Sequence, residues 1–379
     1  MSAVKPLPLD ELVEEAQRVL SICNACRYCE GYCAVFPALE RRLEFNENDV
    51  HYLANLCHNC GACLYACQYA PPHEFQLNFP RILAQVRKET YKKYAWPGFL
   101  ANAFERNGIV VSLATALSLA AVFLFTAWYA RPDRFFSAWS DAQGSFYAVL
   151  PHGVMAGVFG AVFLFVIVAF LMGFSRFWPD MGEETREFLR APSFSNAASD
   201  ALGLTYLDGG GDGCTYPDER PSFARRNFHH LTFYGFLLCF AATTVATIYH
   251  YVFGWKAPYP FYSLPVILGT LGGIGLLVGP VGLLWLKFQR DPELGDRSQR
   301  GMDDGFLVLL FLTSLTGLLL LGLRETRAMG TMLAIHLGAV LALFLTLPYG
   351  KFVHALYRFA ALVRFHIERR RPLPEIGSE

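Results

Sequence analysis

The sequence lacks a surplus of charge of either sign: 32 Lys plus Arg stand against 32 Asp plus Glu over 379 residues. Nothing global therefore marks a nucleic-acid or acidic partner. Sustained apolar–polar alternation is also missing, which leaves little room for sheet. No charged n-region, short apolar core and small-residue cleavage site precede the first cysteine, which predicts an amino end that stays in a reducing compartment. Beyond residue 67 cysteine nearly disappears, leaving two of ten.

What is present falls into two textures. Residues 1–95 are mixed and charged, with helical periodicity in LDELVEEAQRVLSIC and NDVHYLANLCHNC. From Gly108 onward long apolar runs take over at 108–130, 148–173, 229–253, 263–286, 305–323 and 329–350, and none contains Asp or Glu. A hydrocarbon layer about 30 Å thick needs about 20 such residues in a helix. The expected fold is all-α: a small helical domain (1–95), a six-span membrane domain (96–366) with a loop at 174–228, and a tail (367–379).

Basic residues set the expected orientation, because they accumulate on the cytoplasmic side. Loop 174–228 carries six, loop 287–304 four and the segment from Lys351 six, against two, one and two in loops 131–147, 254–262 and 324–328. Both termini and the cysteine domain are thus expected in the cytoplasm of a bacterium, on its inner membrane. Lipid is the expected environment, and no nucleic-acid partner is expected.

CNACRYCEGYC and CHNCGACLYAC share the spacing C-x2-C-x2-C-x3-C. Three closely spaced thiolates wrap one 4Fe-4S cube, and the fourth ligates the neighbouring one, as in two-cluster ferredoxins. That rule assigns Cys23, Cys26, Cys29 and Cys67 to one cluster and Cys57, Cys60, Cys63 and Cys33 to the other. Structural zinc prefers paired C-x2-C knuckles across a longer gap, which these runs fit poorly. Ferredoxins usually place proline after the fourth cysteine; Ala34 and Gln68 stand there instead. A helical ferredoxin domain, like those of succinate dehydrogenase iron–sulfur subunits and heterodisulfide reductase, is the nearest pattern.

Histidines mark the membrane half, where an ionisable side chain is costly and suggests function. His336 and His354 are 18 residues apart, five full turns and about 27 Å along one helix face. His229 and His250 lie within about 60° of a common face. With spans three and six antiparallel, His229 would meet His354 near the cytoplasmic end and His250 would meet His336 nearer the outside. Those are two bis-histidine sites for b-type haem, one or two being bound. His152 is an alternative to His250 or His336, and His230 to His229; Pro348 and Gly350 threaten the continuity of the last helix. His51, His58 and His73 are read as surface or supporting groups.

The paired cysteine motifs, the six spans, the loop GGGDGCTYPDE and the run RRNFHHLTFYGFLLCF together resemble the tricarballylate-utilisation protein B family, also called citrate-utilisation protein B. HLGAVLALFLTLPYGKFVH is similar to the cytochrome b subunit of respiratory nitrate reductase, a likeness that implies haem ligation by His336 and His354. The family resemblance implies a carrier that reoxidises the FAD of a tricarballylate dehydrogenase and reduces membrane quinone. The glycines at 209–213 follow no strand and open no helix, so the flavin is expected on that partner. Arg225 and Arg226 are read either as its docking surface or as residues that merely enforce topology, and Tyr349 and Lys351 as a border of the quinone, with a snorkelling interfacial anchor as the other reading of Lys351. No classical active-site residue is expected. A transporter would show repeats or midplane charges, and a redox sensor would need an output module; the sequence offers neither.

Overall fold

A computed structural model describes residues 9–138 and 144–372; the start of the expected first domain, part of loop 131–147 and the end of the tail lie outside these residues. The architecture is helical. Its longer helices are α1 (Leu9–Cys26), α2 (Glu47–Leu56), α3 (Phe79–Tyr94), α4 (Asn107–Phe135), α5 (His152–Asp180), α6 (Ala191–Gly203), α7 (Ala224–Phe253), α8 (Leu264–Gln289), α9 (Arg300–Leu323), α10 (Met329–Thr346) and α11 (Val353–Glu368). Among the described residues the only strands are β1 (Cys214–Thr215) and β2 (Pro221–Ser222), paired antiparallel.

Local signals place the helix starts. Asn46 caps α2, its side chain accepting from the Asp49 amide at 2.9 Å while Asp49 returns a bond to the Asn46 amide. Asn78 caps α3 by accepting from the Arg81 amide at 3.1 Å. Such caps stabilise a helix by about 1 kcal/mol each.

Six helices are long and apolar enough to cross a membrane: Asn107–Ala130, His152–Asp180, Ala224–Phe253, Leu264–Gln289, Arg297–Leu323 and Met329–Tyr349. They turn large apolar side chains outward, Leu117 at 68% and Leu164 at 62% exposure. In water this would be unfavourable; against lipid it is neutral. α7 and α8 approach backbone to backbone: a Cβ on Gly235 would lie 2.9 Å from the Gly272 carbonyl oxygen. Small residues permit that approach where lipid gives helices no hydrophobic drive to associate.

The last helix corrects one expectation. α10 ends at Thr346, a 3-10 turn covers Leu347–Tyr349, and α11 starts afresh at Val353. Pro348 supplies no amide hydrogen to continue the helix. His336 and His354 therefore do not share one straight face. Freed from α10, α11 packs into the amino-terminal core, where Tyr357 stacks on Tyr91 with ring centroids 5.7 Å apart and the Tyr52 hydroxyl donates to Glu368 at 3.1 Å. Tyr52, Leu53, Tyr91, Trp178 and Val363 are fully buried in this shared core, each large apolar side chain contributing about 1.5–3 kcal/mol.

Candidate cofactor sites

α1 ends on Cys23 and Cys26, and the chain turns back at Arg27 with φ 55°. Cys57 caps α2, and the next turn uses Asn59 at φ 56° and Gly61 at φ 89°. These left-handed residues curl each run so that successive thiols converge.

The structure gathers the thiols across the two runs. Cys23, Cys26, Cys29 and Cys67 line one recess with Tyr28, Phe36 and Phe79. The Cys63 thiol lies within electrostatic reach of Cys60, Cys57, Cys33 and Cys29, and the Cys33 thiol within reach of Cys60 and Cys57. Cys63 also reaches the wall of the first recess, so the two groups adjoin. Among the described residues no group of three or more His, Cys, Asp or Glu side chains is placed to hold a single metal ion; the donor set itself, two groups of thiols, is the one that iron–sulfur cubes use.

Burial pushes the thiols of Cys23, Cys33 and Cys63 well up, with neighbouring cysteines adding to the effect, and that of Cys29 up to about 12. Packed, buried thiols resist becoming several anions together, and a cationic iron core removes both penalties. Cys60 is the exception, lowered to about 7 first by a hydrogen bond from Cys214. Amides already point at sulfur: Asn59 N donates to Cys57 Sγ at 3.4 Å.

Beside the second group opens a cavity of about 550 Å³, lined by His58, Arg87, Arg225, His229, Lys351, His354 and Arg358 among others, with apolar walls from Phe233, Phe236 and Leu310. That volume is in the range of a cofactor pocket, about 300–1,000 Å³. His229 on α7 and His354 on α11 meet in it with ring centroids 6.2 Å apart and planes at 84°. Two imidazoles bonded to one metal from opposite sides, at about 2 Å per bond, have ring centres about 6 Å apart. The Nδ1–H of His354 donates to the Lys351 carbonyl, which leaves Nε2 with its lone pair. Burial, then Arg358 and Lys351, hold that imidazole neutral, as a metal ligand must be. His229 Nδ1 is buried without a partner. His230 turns away to Tyr234.

The outer pair is different from the expected one. His250 stacks face to face on His152, centroids 3.7 Å apart and planes at 13°, which leaves no space for an ion between the rings. His336 lies instead against α9, its Nδ1 3.2 Å from Thr316 Oγ1, and a Cβ on Gly317 would be 2.9 Å from its ring. His250 and His336 are not brought together, because the break before α11 frees α10 to pack its histidine onto α9.

Sequence reasoning missed the arginines around Cys57. Arg87 donates to the Cys57 carbonyl at 2.7 Å, Arg358 to the same oxygen at 3.0 Å, and Arg225 to the Asn59 carbonyl at 2.5 Å. None of the three forms an ion pair among the described residues. Arg87 is buried and the other two are half-buried; cations so placed without an anion are costly, which favours an anionic group beside them. The i, i+4 spacing of His354 and Arg358 was the available signal. Arg225 and Arg226, expected at a docking surface, spend their guanidinia internally: Arg226 donates to the Gly203 carbonyl at 2.8 Å and Arg225 also covers the Tyr216 ring at 4.5 Å. Loop carbonyls needing donors outcompete solvent for them.

Lys351 does not snorkel: its Nζ is 2.8 Å from Asp303, which Lys287 also reaches at 3.1 Å. Tyr349 is committed elsewhere, donating to the Trp96 carbonyl at 2.9 Å. Of the supporting histidines, His51 and His58 are buried, and His73 packs on Tyr69 and Phe75.

No solved structure matches the chain. Residues 16–93 match the citrate utilization protein B Fer4-like domain and residues 103–375 the citrate utilization protein B family. The chain is 53% identical over 364 residues to citrate utilization protein B of Escherichia coli, covering 96% of this chain and 94% of that protein. A Fer4-like domain ahead of six membrane-spanning helices fits iron–sulfur electron transfer at a lipid bilayer. On these matches, and with paired cysteine runs joined to an apolar helical bundle, the chain belongs to the citrate utilization protein B family.

Proposed function

We propose that the protein is an electron-transfer subunit of the bacterial inner membrane, reoxidising the reduced FAD of a tricarballylate dehydrogenase and delivering electrons to quinone. Two 4Fe-4S clusters and one b-type haem, when bound, supply the one-electron carriers between flavin and quinone. Cys23, Cys26, Cys29 and Cys67 hold the first cluster, and Cys33, Cys57, Cys60 and Cys63 the second. His229 and His354 hold the haem. The six spans leave both termini and the cysteine domain in the cytoplasm.

The residues divide the remaining work. Arg87, Arg225 and Arg358 are the cations that would neutralise the anionic charge of a thiolate-bound cluster and of haem carboxylates. Lys351 fixes the His354 ring through its carbonyl. The apolar walls keep water from the histidines, and the Lys287–Asp303–Lys351 group gives the cavity a charged end suited to a quinone head.

One observation carries the reading: Arg358, one turn past His354, donates to the Cys57 carbonyl, so the second cysteine run and the histidine pair are joined at one wall. The test is a reduced-minus-oxidised spectrum of anaerobically purified protein, with iron, acid-labile sulfide and haem counted per chain. Broad iron–sulfur absorbance together with a b-type Soret band is expected; a colourless preparation overturns the proposal.

A further inference from the structure

The glycine-rich loop between α6 and α7 has no part in the reading above, yet it is built into the cysteine domain. Gly213 N donates to the Asp208 carbonyl at 2.6 Å, and Cys214 pairs with Ser222 across β1 and β2. A Cβ on Gly210 would lie 3.0 Å from the Gly31 carbonyl oxygen and 3.2 Å from the Tyr32 ring. A Cβ on Gly61 would run into the Thr215 carbonyl. The loop is thus wedged between the two cysteine runs, against Gly31–Tyr32 of the first and Gly61 of the second.

Cys214 lies at the base of this wedge with no exposure, outside both groups of four. It shares an apolar cluster with Cys60, Ala62 and Leu64. Its Sγ donates to the Leu207 carbonyl at 3.3 Å, and the thiol packs in that cluster on the Cys60 side, one residue from the Thr215–Gly61 contact. A thiol has one hydrogen, and an anionic thiolate is a better acceptor than a neutral carbonyl.

We propose that Cys214 is a positioning residue for electron transfer, donating its S–H to the Cys60 thiolate and so raising the reduction potential of the cluster that Cys60 holds. This rests on the assignment of Cys60 as a ligand. A donor aimed at a ligating sulfur withdraws charge from it and favours the more negative, reduced cluster. The rigid loop keeps the donor in place in both redox states.

The test uses the full-length protein in lipid nanodiscs as wild type, Cys214→Ala and Cys214→Ser, each assayed for iron and sulfide and titrated potentiometrically under EPR. With cluster content intact, Cys214→Ala is expected to lower the midpoint of one cluster and leave the other where it was. Cys214→Ser, which keeps a donor, should fall between wild type and alanine. Unmoved midpoints at full iron content overturn the inference alone. Loss of one cluster's iron from both variants overturns it too, since Cys214 would then be holding the cluster together. Absence of any iron–sulfur signal in the wild type instead overturns the ligand assignment, and the inference with it.

Discussion

Arg358 Nη2 donates to the carbonyl oxygen of Cys57 at 3.0 Å, joining residues 301 positions apart in the chain. The guanidinium is half-buried, and desolvation with the nearby Arg87 lowers its pKa to about 10, so it remains a cation at neutral pH. A charge-assisted bond of this kind contributes about 1.5–3 kcal/mol. Arg358→Gln is expected to lower the thermal midpoint of the detergent-solubilised protein. It should also slow haem reduction by the upstream flavoprotein at least tenfold, with haem content retained. Stopped-flow absorbance reads the rate, and a wild-type rate removes the junction from the proposed route.

The histidine geometry separates two pairs. His229→Ala and His354→Ala should each lower haem per chain at least tenfold, whereas His250→Ala and His336→Ala should leave it near wild type. Pyridine haemochrome assay on equal amounts of purified protein decides the matter; a lost Soret band in His250→Ala would return the outer pair to ligation.

Cross-run ligation makes a counter-intuitive prediction for Cys33. Although it belongs to the first run, Cys33→Ser should abolish the EPR signal that Cys57→Ser abolishes and spare the one that depends on Cys23. If Cys33→Ser and Cys23→Ser remove the same signal, each run holds its own cluster.

Gly61 is at φ 89° with the Thr215 carbonyl over its Cα. Gly61→Ala costs about 1–2 kcal/mol for the left-handed backbone alone, and the clash adds to it. The expected result is a lower thermal midpoint and up to half the iron lost, from the cluster of Cys57 only. Full iron with an unchanged midpoint would show that the loop yields without cost.

His51 supplies a pH dependence. It is buried beside Tyr94, Glu47, Lys93 and Asp180, and burial is the main cause that lowers it from 6.5 to about 4. Between those values the unfolded chain binds a proton that the folded chain refuses, so stability falls as pH drops from 6.5 towards 4, by at most about 3 kcal/mol. His51→Gln should flatten that part of the profile. Thermal midpoints measured from pH 7 to 4.5 provide the check; an identical slope in the variant assigns the acid sensitivity elsewhere.

Much was legible along the chain because its determinants are local. Cysteine spacing within eleven residues announces iron–sulfur binding, and apolar run length announces the spans, each run matching a helix. Pro348 and Gly350 signalled the break, but not that α11 would then leave the membrane bundle for the amino-terminal core. Side-chain partners depend on that departure: it carries His354 to His229, brings Arg358 onto Cys57, and leaves His336 on α9 and His250 on His152.

By itself the sequence determined helical class, membrane residence and a thiol-rich metal-binding end, since spacing and hydrophobic length act through neighbours in the chain. Only the tertiary structure decided which histidines face each other, which arginines lie without an anionic partner, and that the glycine loop lodges Cys214 against Cys60. Those relationships span tens to hundreds of residues, and they arise when helices choose partners by packing, a choice no single segment encodes.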